Sequence, residues 1–549
     1  MVSEDARIKP SKIYAHGDRI FCCGESDFPM YKLACWLFLL SFCLVVVVGG
    51  EPFVFGTASA SWQYEGALHA RGRGSSIWED YCGGTTPVGI PNCIGGLGPG
   101  EVAVDQYNLT RLEEDISLMQ KLGTTAYRLS LSWSRIMPTG RPPVDTSGVF
   151  HYKHVLRMLN DAGIDPWVTL FHFDLPSALE KEEGGWLNRS MAGRFEAYAK
   201  LCFHEFGPFV KRWLTINEAH TIATAGYLYG NAAPGRCSNR SFCSMGNGTV
   251  EPYVVGHNRL RAHAKAVAVF RDMKKGSPPI LHPLSTITMV ISGDWTEPWN
   301  SADPRDAEAS QRRQEFQIGW FGDPIFFGNY PKSMREGIGG GRLPEFTAKE
   351  QRLLRGSVDY FALNHYTSRY GQTPNSSICS EGGGANISGG EGWDQDQCCS
   401  ALTTDRWGRP IGPRPEGSEW LFSVPWGLRS LLRWVAHRYN NSPIVVTENG
   451  CVDPVQAAQA PKEVNDTFRI AYHQGYLAAL RRAMIEDKVD IRGYFVWSLL
   501  DNVEWGDGFR DRFGLYSVDR PSLDRIPKAS VRWISDYIRK WKNQTKNKK

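Results

Sequence analysis

Two glutamates end apolar, strand-like runs: Glu218 closes Trp213-Leu-Thr-Ile-Asn-Glu218, and Glu448 closes Ile444-Val-Val-Thr-Glu448. Polar or aromatic residues stop two further runs in the same way, Asn364-His-Tyr366 after Tyr360-Phe-Ala-Leu and Trp497 after Gly493-Tyr-Phe-Val. A carboxylate at the end of a buried strand is costly unless it is paired or used. One such residue is most often a salt-bridge partner, whereas two on different strands can face each other across a shared mouth. Paired carboxylates are suited to glycosidic-bond cleavage, in which one acid protonates the leaving oxygen and the other acts from the opposite side of the anomeric carbon. A gap of roughly 5 Å gives a covalent glycosyl-enzyme and retention, and roughly 6.5 to 9.5 Å admits water and gives inversion. Aromatic residues are 12% of the chain, with 19 Trp, which supplies flat platforms for sugar rings.

These residues need a scaffold that brings distant strand ends together. Short apolar runs recur at Phe53-Val-Phe, Ala126-Tyr-Arg-Leu-Ser, Trp167-Val-Thr-Leu-Phe, Trp213-Leu-Thr-Ile, Thr288-Met-Val-Ile, Tyr360-Phe-Ala-Leu, Ile444-Val-Val-Thr and Gly493-Tyr-Phe-Val. Segments with helical apolar spacing, such as Leu112 to Leu122 and Val254 to Arg271, lie between them. Eight strand-helix alternations with no linker or repeat predict an α/β fold, a single-domain (β/α)8 TIM barrel with long βα loops. In that fold the catalytic groups sit at the C-terminal strand ends. An open doubly wound sheet is the alternative, but no GxGxxG follows the first strand.

Composition narrows the class further. The 549 residues carry 62 Lys+Arg against 58 Asp+Glu, with no basic clustering except at the C-terminus, so no nucleic-acid partner is expected. Leu33 to Val48 is apolar but short of the roughly 20 residues of a membrane span. Read from Met30 it has the layout of a signal peptide. The expected organisation is an extra segment 1–29, a signal peptide or anchor 30–50, a catalytic domain 51–541 and a basic tail 542–549. A membrane is a partner only if that apolar segment stays uncleaved. Nine sequons, at Asn108, Asn188, Asn239, Asn247, Asn375, Asn386, Asn440, Asn465 and Asn543, also point to the secretory route, with a secreted, vacuolar or lysosomal destination. Cys82/Cys93 and Cys237/Cys243 close short loops suited to disulfides, and Cys202 is the expected buried free thiol. Neither a CxxC pair nor a His cluster has metal-site spacing, so no metal or cofactor is expected.

The ordered motifs make a resemblance plain. Leu214-Thr-Ile-Asn-Glu-Ala-His220 and Val446-Thr-Glu-Asn-Gly450 resemble the paired signatures of family 1 glycoside hydrolases, the β-glucosidase family. Phe53-Val-Phe-Gly-Thr-Ala-Ser-Ala-Ser-Trp-Gln-Tyr-Glu-Gly66, Tyr127-Arg-Leu-Ser-Leu-Ser-Trp-Ser-Arg-Ile136, Phe171-His-Phe-Asp-Leu-Pro176 and Phe321-Gly-Asp-Pro324 extend the likeness. So do Asn364-His-Tyr-Thr367 and Trp497-Ser-Leu-Leu-Asp-Asn-Val-Glu-Trp505.

The resemblance implies a retaining β-glycosidase, a β-glucosidase by default, acting on small β-glycosides or oligosaccharides. By the same likeness Glu218 is the general acid/base and Glu448 the nucleophile, with Arg128 and Tyr366 supporting Glu448. Gln63, His172, Asn217, Asn364, Glu504 and Trp505 are implied to hold the sugar hydroxyls, with Trp497 beneath the ring and Phe513 walling the pocket. Ile216 and Ala219 stand where the family commonly has Phe and Pro, and Phe173 where it commonly has Trp, departures that bear on the leaving-group side. Glu504 implies an unphosphorylated sugar, and Glu218 argues against the thioglucosidase branch. Two other readings stay open: a transglycosylase with the same covalent intermediate, and a silent carbohydrate-binding barrel, against which the presence of both carboxylates speaks. Pro278 to Ser285 reads as an insertion before the fifth strand.

Overall fold

Eight parallel strand positions form the central sheet: β1 (Val54–Ala58), β2 (Ala126–Ser130), β3 (Asp165–Phe171), β4 (Arg212–Ile216), β5 (Thr286–Thr288 and Val290–Ser292), β6 (Phe361–Asn364), β7 (Ile444–Asn449) and β8 (Ile491–Val496). β5 is interrupted at Met289. Its first half pairs with β4, Arg212 opposite Thr286, and its second half pairs with β6, Ile291 opposite Leu363. Because the two halves are successive in the chain, these pairings join the ends of the sheet into the expected (β/α)8 barrel. The computed structural model describes residues 52–374, 391–453, 465–520 and 522–546, and residues 53–549 fall in one compact unit. Segments 1–29 and 30–50, together with Asn375, Asn386 and Cys379, lie outside the described residues.

The strands read as unbroken apolar runs because both of their faces are covered. The barrel interior is filled by Trp167, Leu214, Val290, Tyr360, Val445 and Phe495. Gly56 makes room for this filling, since a Cβ there would sit 2.2 Å from the Phe495 ring. Outside, helices cover the sheet with their apolar residues. Leu109–Leu122 buries Leu112, Ile116, Met119 and Leu122, is capped by the Asn108 side chain on the Thr110 amide, and stops at Gly123 in the left-handed conformation. Glu251–Lys275 packs on Met191–Phe206. Between Lys275 and β5, the 278–285 segment is a packed loop: Leu281 is buried and the His282 amide donates to the Gly207 carbonyl at 2.9 Å. The last helix, Ala529–Lys546, runs on into the basic C-terminal stretch.

Both short-loop disulfides are present, Cys82–Cys93 and Cys237–Cys243. Among the described residues, Cys202 is free and buried, and so are Cys398, Cys399 and Cys451. All seven sequon asparagines among the described residues are exposed.

A buried ion network fixes the two segments that leave β7 and β8. Lys528 Nζ donates to Asp453 at 2.5 Å and to Asp501 at 2.7 Å, and Asp501 accepts the Gly514 amide at 2.9 Å. Arg469 completes the cluster by pairing with Asp453 and Asp466. Removing the cation leaves Asp501 buried without a paired cation and Asp453 with Arg469 alone, so Lys528→Met is expected to cost about 3–5 kcal/mol in urea unfolding. A loss below about 1 kcal/mol would mean that the network is not what holds these segments.

Candidate active site

The mouth of the barrel opens into a cavity of about 830 Å³. Glu218, Glu448, His172, Asn217, Asn364, Tyr366, Trp497, Glu504, Trp505 and Phe513 all line it. The remaining two residues singled out from the sequence, Arg128 and Gln63, are fully buried and hydrogen-bond to lining groups, Arg128 to Glu448 and Gln63 to Glu504.

Each side chain owes its place to a strand end. β7 carries Glu448 and Asn449 and then turns at Gly450, where a Cβ would lie 1.9 Å from the Trp497 carbonyl, so only glycine lets the ends of β7 and β8 approach. β4 ends at Ile216, and Glu218 follows with φ of 39°, in the left-handed region, immediately before the helix Ala219–Tyr227. A non-glycine residue there stores backbone strain that the surroundings must hold. Arg128 projects from β2 and Asn364 from the end of β6.

The two carboxylates have opposite surroundings. Glu448 forms an ion pair with Arg128 through one oxygen and accepts the Tyr366 hydroxyl at 2.6 Å on the other. Glu218 has no cation against it: Asn364 Nδ2 donates to Oε1 at 2.6 Å and Thr221 Oγ1 donates to Oε2 at 2.6 Å. Burial, and then the negative charge of Glu448, push the Glu218 carboxyl up to about 7. Asn217 links the two halves, accepting from Arg128 Nη2 at 2.6 Å and from Asn364 Nδ2 at 3.2 Å. The arrangement therefore holds one carboxyl ready to donate a proton near neutrality and sets the other against a cation and a hydroxyl donor.

Around these groups the polar atoms are held by one another. Asn217 Nδ2 lies 3.1 Å from His172 Nε2, and burial holds that imidazole well below its usual pKa, so it is neutral. Gln63 Nε2 donates to Asn502, to the Val503 carbonyl and to Glu504 Oε2 at 3.2 Å. Burial, followed by Asp511 and Glu448, raises the Glu504 carboxyl well above its usual range. Trp497, His172 and Trp505 lie with nearly parallel rings, the imidazole centroid 6.0 Å from Trp497 and 5.8 Å from Trp505. Phe173 sits against Trp505 on the cavity wall, with φ of 75°. Ile216 is fully buried.

Thr221 and Ser292 went unnoticed in the sequence. Thr221 stands three residues after Glu218, one helical turn on, and that spacing after a strand-end glutamate was the available signal. Ser292 Oγ, 2.9 Å from Thr221 Oγ1, comes from the interrupted fifth strand, and no local pattern marked it. Among the described residues there is no grouping of three or more His, Cys, Asp or Glu able to hold a metal ion. No helix among them is long and apolar enough to cross a membrane.

A barrel with two such carboxylates at its mouth defines the class, and the chain belongs to glycosyl hydrolase family 1, whose sequence profile matches residues 50–543. Among its relatives are β-glucosidase 6 of Oryza sativa subsp. japonica, 43% identical with 89% of this chain and 90% of the relative covered, and β-glucosidase 40 of Arabidopsis thaliana, 42% identical with 90% and 94% covered. The crystal structure of the rice Os3BGlu6 β-glucosidase superposes with a TM-score of 0.79 at 43% identity, covering 88% of this chain and 98% of that one. A mutant of that rice enzyme has been solved in a covalent complex with Glc.

Proposed function

We propose that the protein is a retaining β-glucosidase that hydrolyses terminal β-D-glucosyl residues from small glycosides or oligosaccharides, with Glu448 as nucleophile and Glu218 as general acid and then base. The observation that carries this reading is the convergence of an ion-paired Glu448 and a cation-free Glu218 on one cavity, linked through Arg128, Asn217 and Asn364. Attack by Glu448 on the anomeric carbon expels the aglycone as Glu218 protonates its oxygen. Water, deprotonated by Glu218, then releases the sugar. The covalent Glc complex of the rice relative supports the first half of that sequence for this chain.

Sugar binding falls to Gln63, His172, Asn217, Asn364, Glu504 and Trp505, with Trp497 as platform and Phe513 as wall. Gln63 Oε1 and His172 Nδ1 are buried without a protein partner, a cost that sugar hydroxyls would offset. The raised Glu504 carboxyl disfavours a phosphorylated sugar, because a further anion there would meet Glu448, Asp507 and Asp511. The two disulfides and the seven exposed sequons support residence in the secretory route.

The deciding experiment follows the hydrolysis of an aryl β-D-glucoside by NMR. The β-anomer of glucose is expected as the first-formed product, and in the presence of methanol the methyl β-glucoside appears beside it. An α-anomer formed first would replace retention with inversion and remove Glu448 from the role of nucleophile.

A further inference from the structure

We propose that Asp294 selects β-glycosides whose aromatic aglycone carries a protonated amine, an inference that rests on the β-glucosidase reading above. Six acidic side chains line the cavity, and five of them have donors. Glu218 is held by Asn364 and Thr221, Glu448 by Arg128 and Tyr366, Glu504 by Gln63, and Asp507 and Asp511 by Arg510. The Asp294 carboxylate alone accepts no hydrogen bond and forms no ion pair with the described residues.

Its backbone is nevertheless fixed. The Asp294 amide donates to Gln317 Oε1 at 3.3 Å, and its carbonyl accepts from Gln314 Nε2 at 3.0 Å. Arg369 lies close enough for its charge to be felt, but its guanidinium is spent on Thr367 Oγ1, the Ser368 carbonyl and the Trp420 carbonyl. A carboxylate on the wall of a cavity, carried on a fixed backbone yet given no partner, is open to a cation supplied from outside.

The position decides which part of the substrate meets it. β5 ends at Ser292, whose hydroxyl contacts Thr221, and Thr221 holds Glu218. Asp294 is two residues farther along the same wall. It therefore stands on the side of the residue that protonates the leaving group, not on the side of Glu504. Trp420 and Tyr229, 43% and 46% exposed, line the same cavity and offer flat faces to an aromatic aglycone. The Tyr229 ring is fixed by its hydroxyl, which donates to Asp394 at 2.7 Å. An aromatic ring bearing an ammonium group can use both the faces and the carboxylate, whereas a carboxylated aglycone meets Asp294 as a like charge.

The test compares three phenyl β-D-glucosides, carrying a neutral, an aminomethyl or a carboxylate substituent, on wild type and Asp294→Asn at one pH and salt concentration. The variant-to-wild-type ratio of kcat/KM cancels the intrinsic reactivity of each leaving group. Relative to the neutral glucoside, the aminomethyl glucoside is expected to lose about 10-fold in the variant, and the carboxylate glucoside to gain severalfold. Equal ratios for all three substrates would overturn the proposal. The affinities of the same glucosides for Glu448→Gln, with and without Asp294→Asn, read the charge preference without turnover. A wild type that failed to cleave the neutral glucoside would count against the proposed function, and these affinities would still decide the role of Asp294.

Discussion

Glu448→Gln is expected to lower kcat by roughly 10⁵-fold on every β-glucoside, because it removes the group that forms the covalent bond. The amide is almost the same size as the carboxylate, so the packing around Arg128 and Tyr366 is preserved. What changes is charge: Arg128 loses its ion-pair partner, and the amide carbonyl is too weak a nucleophile to attack an acetal carbon. The loss falls on the first chemical step, so activated leaving groups will not restore the rate. A mechanism-based 2-fluoro-glucoside should label wild type once per chain, on the peptide containing Glu448, and should leave the variant unlabelled. Full turnover by the variant, or a label carried by another residue, would remove Glu448 from the mechanism. Loss of the Glu448 charge also lowers the Glu218 carboxyl toward its usual range, since that charge is the second cause of its elevation.

How much of this could be read from the chain depends on how local each signal is. All eight barrel strands stand out as apolar runs, because parallel strands covered on both faces leave little room for polar residues. The same rule makes Asn217-Glu218 and Glu448-Asn449 visible, as polar stops at the ends of such runs. The pairing of Arg128 with Glu448 was implied by resemblance alone, since 320 residues separate them. Contacts with no family motif behind them stayed hidden. Lys528 lies 75 residues from Asp453 and 27 from Asp501, and nothing in the surroundings of any of the three marks them as partners. The break in β5 at Met289 was invisible because Thr288-Met-Val-Ile reads as one run, yet Ser292 closes its second half and Asp294 follows two residues on. Phe173 was noted as a departure in side-chain type, but its left-handed backbone could not be anticipated from an aromatic residue.

Glu218→Ala should separate the two steps of the reaction. With an alkyl or sugar leaving group kcat/KM is expected to fall about 10³-fold, the usual contribution of a positioned acid. With 2,4-dinitrophenolate, which departs without protonation, glycosylation should slow by only about 10-fold, and the covalent intermediate should accumulate. Azide, admitted into the space left by the side chain, should then raise turnover and yield the β-glucosyl azide.

The pH profile supplies an independent check. Glu218 must be protonated to act in the first step, and its carboxyl is pushed up to about 7, so wild-type kcat/KM should hold below that pH and fall above it. Once Glu448 is esterified its charge is gone, the Glu218 carboxyl drops, and the same group ionises in time to act as base. In Glu218→Ala the alkaline fall should vanish for the dinitrophenyl substrate. If the fall persists, or if azide leaves turnover unchanged, the proton donor is some other group.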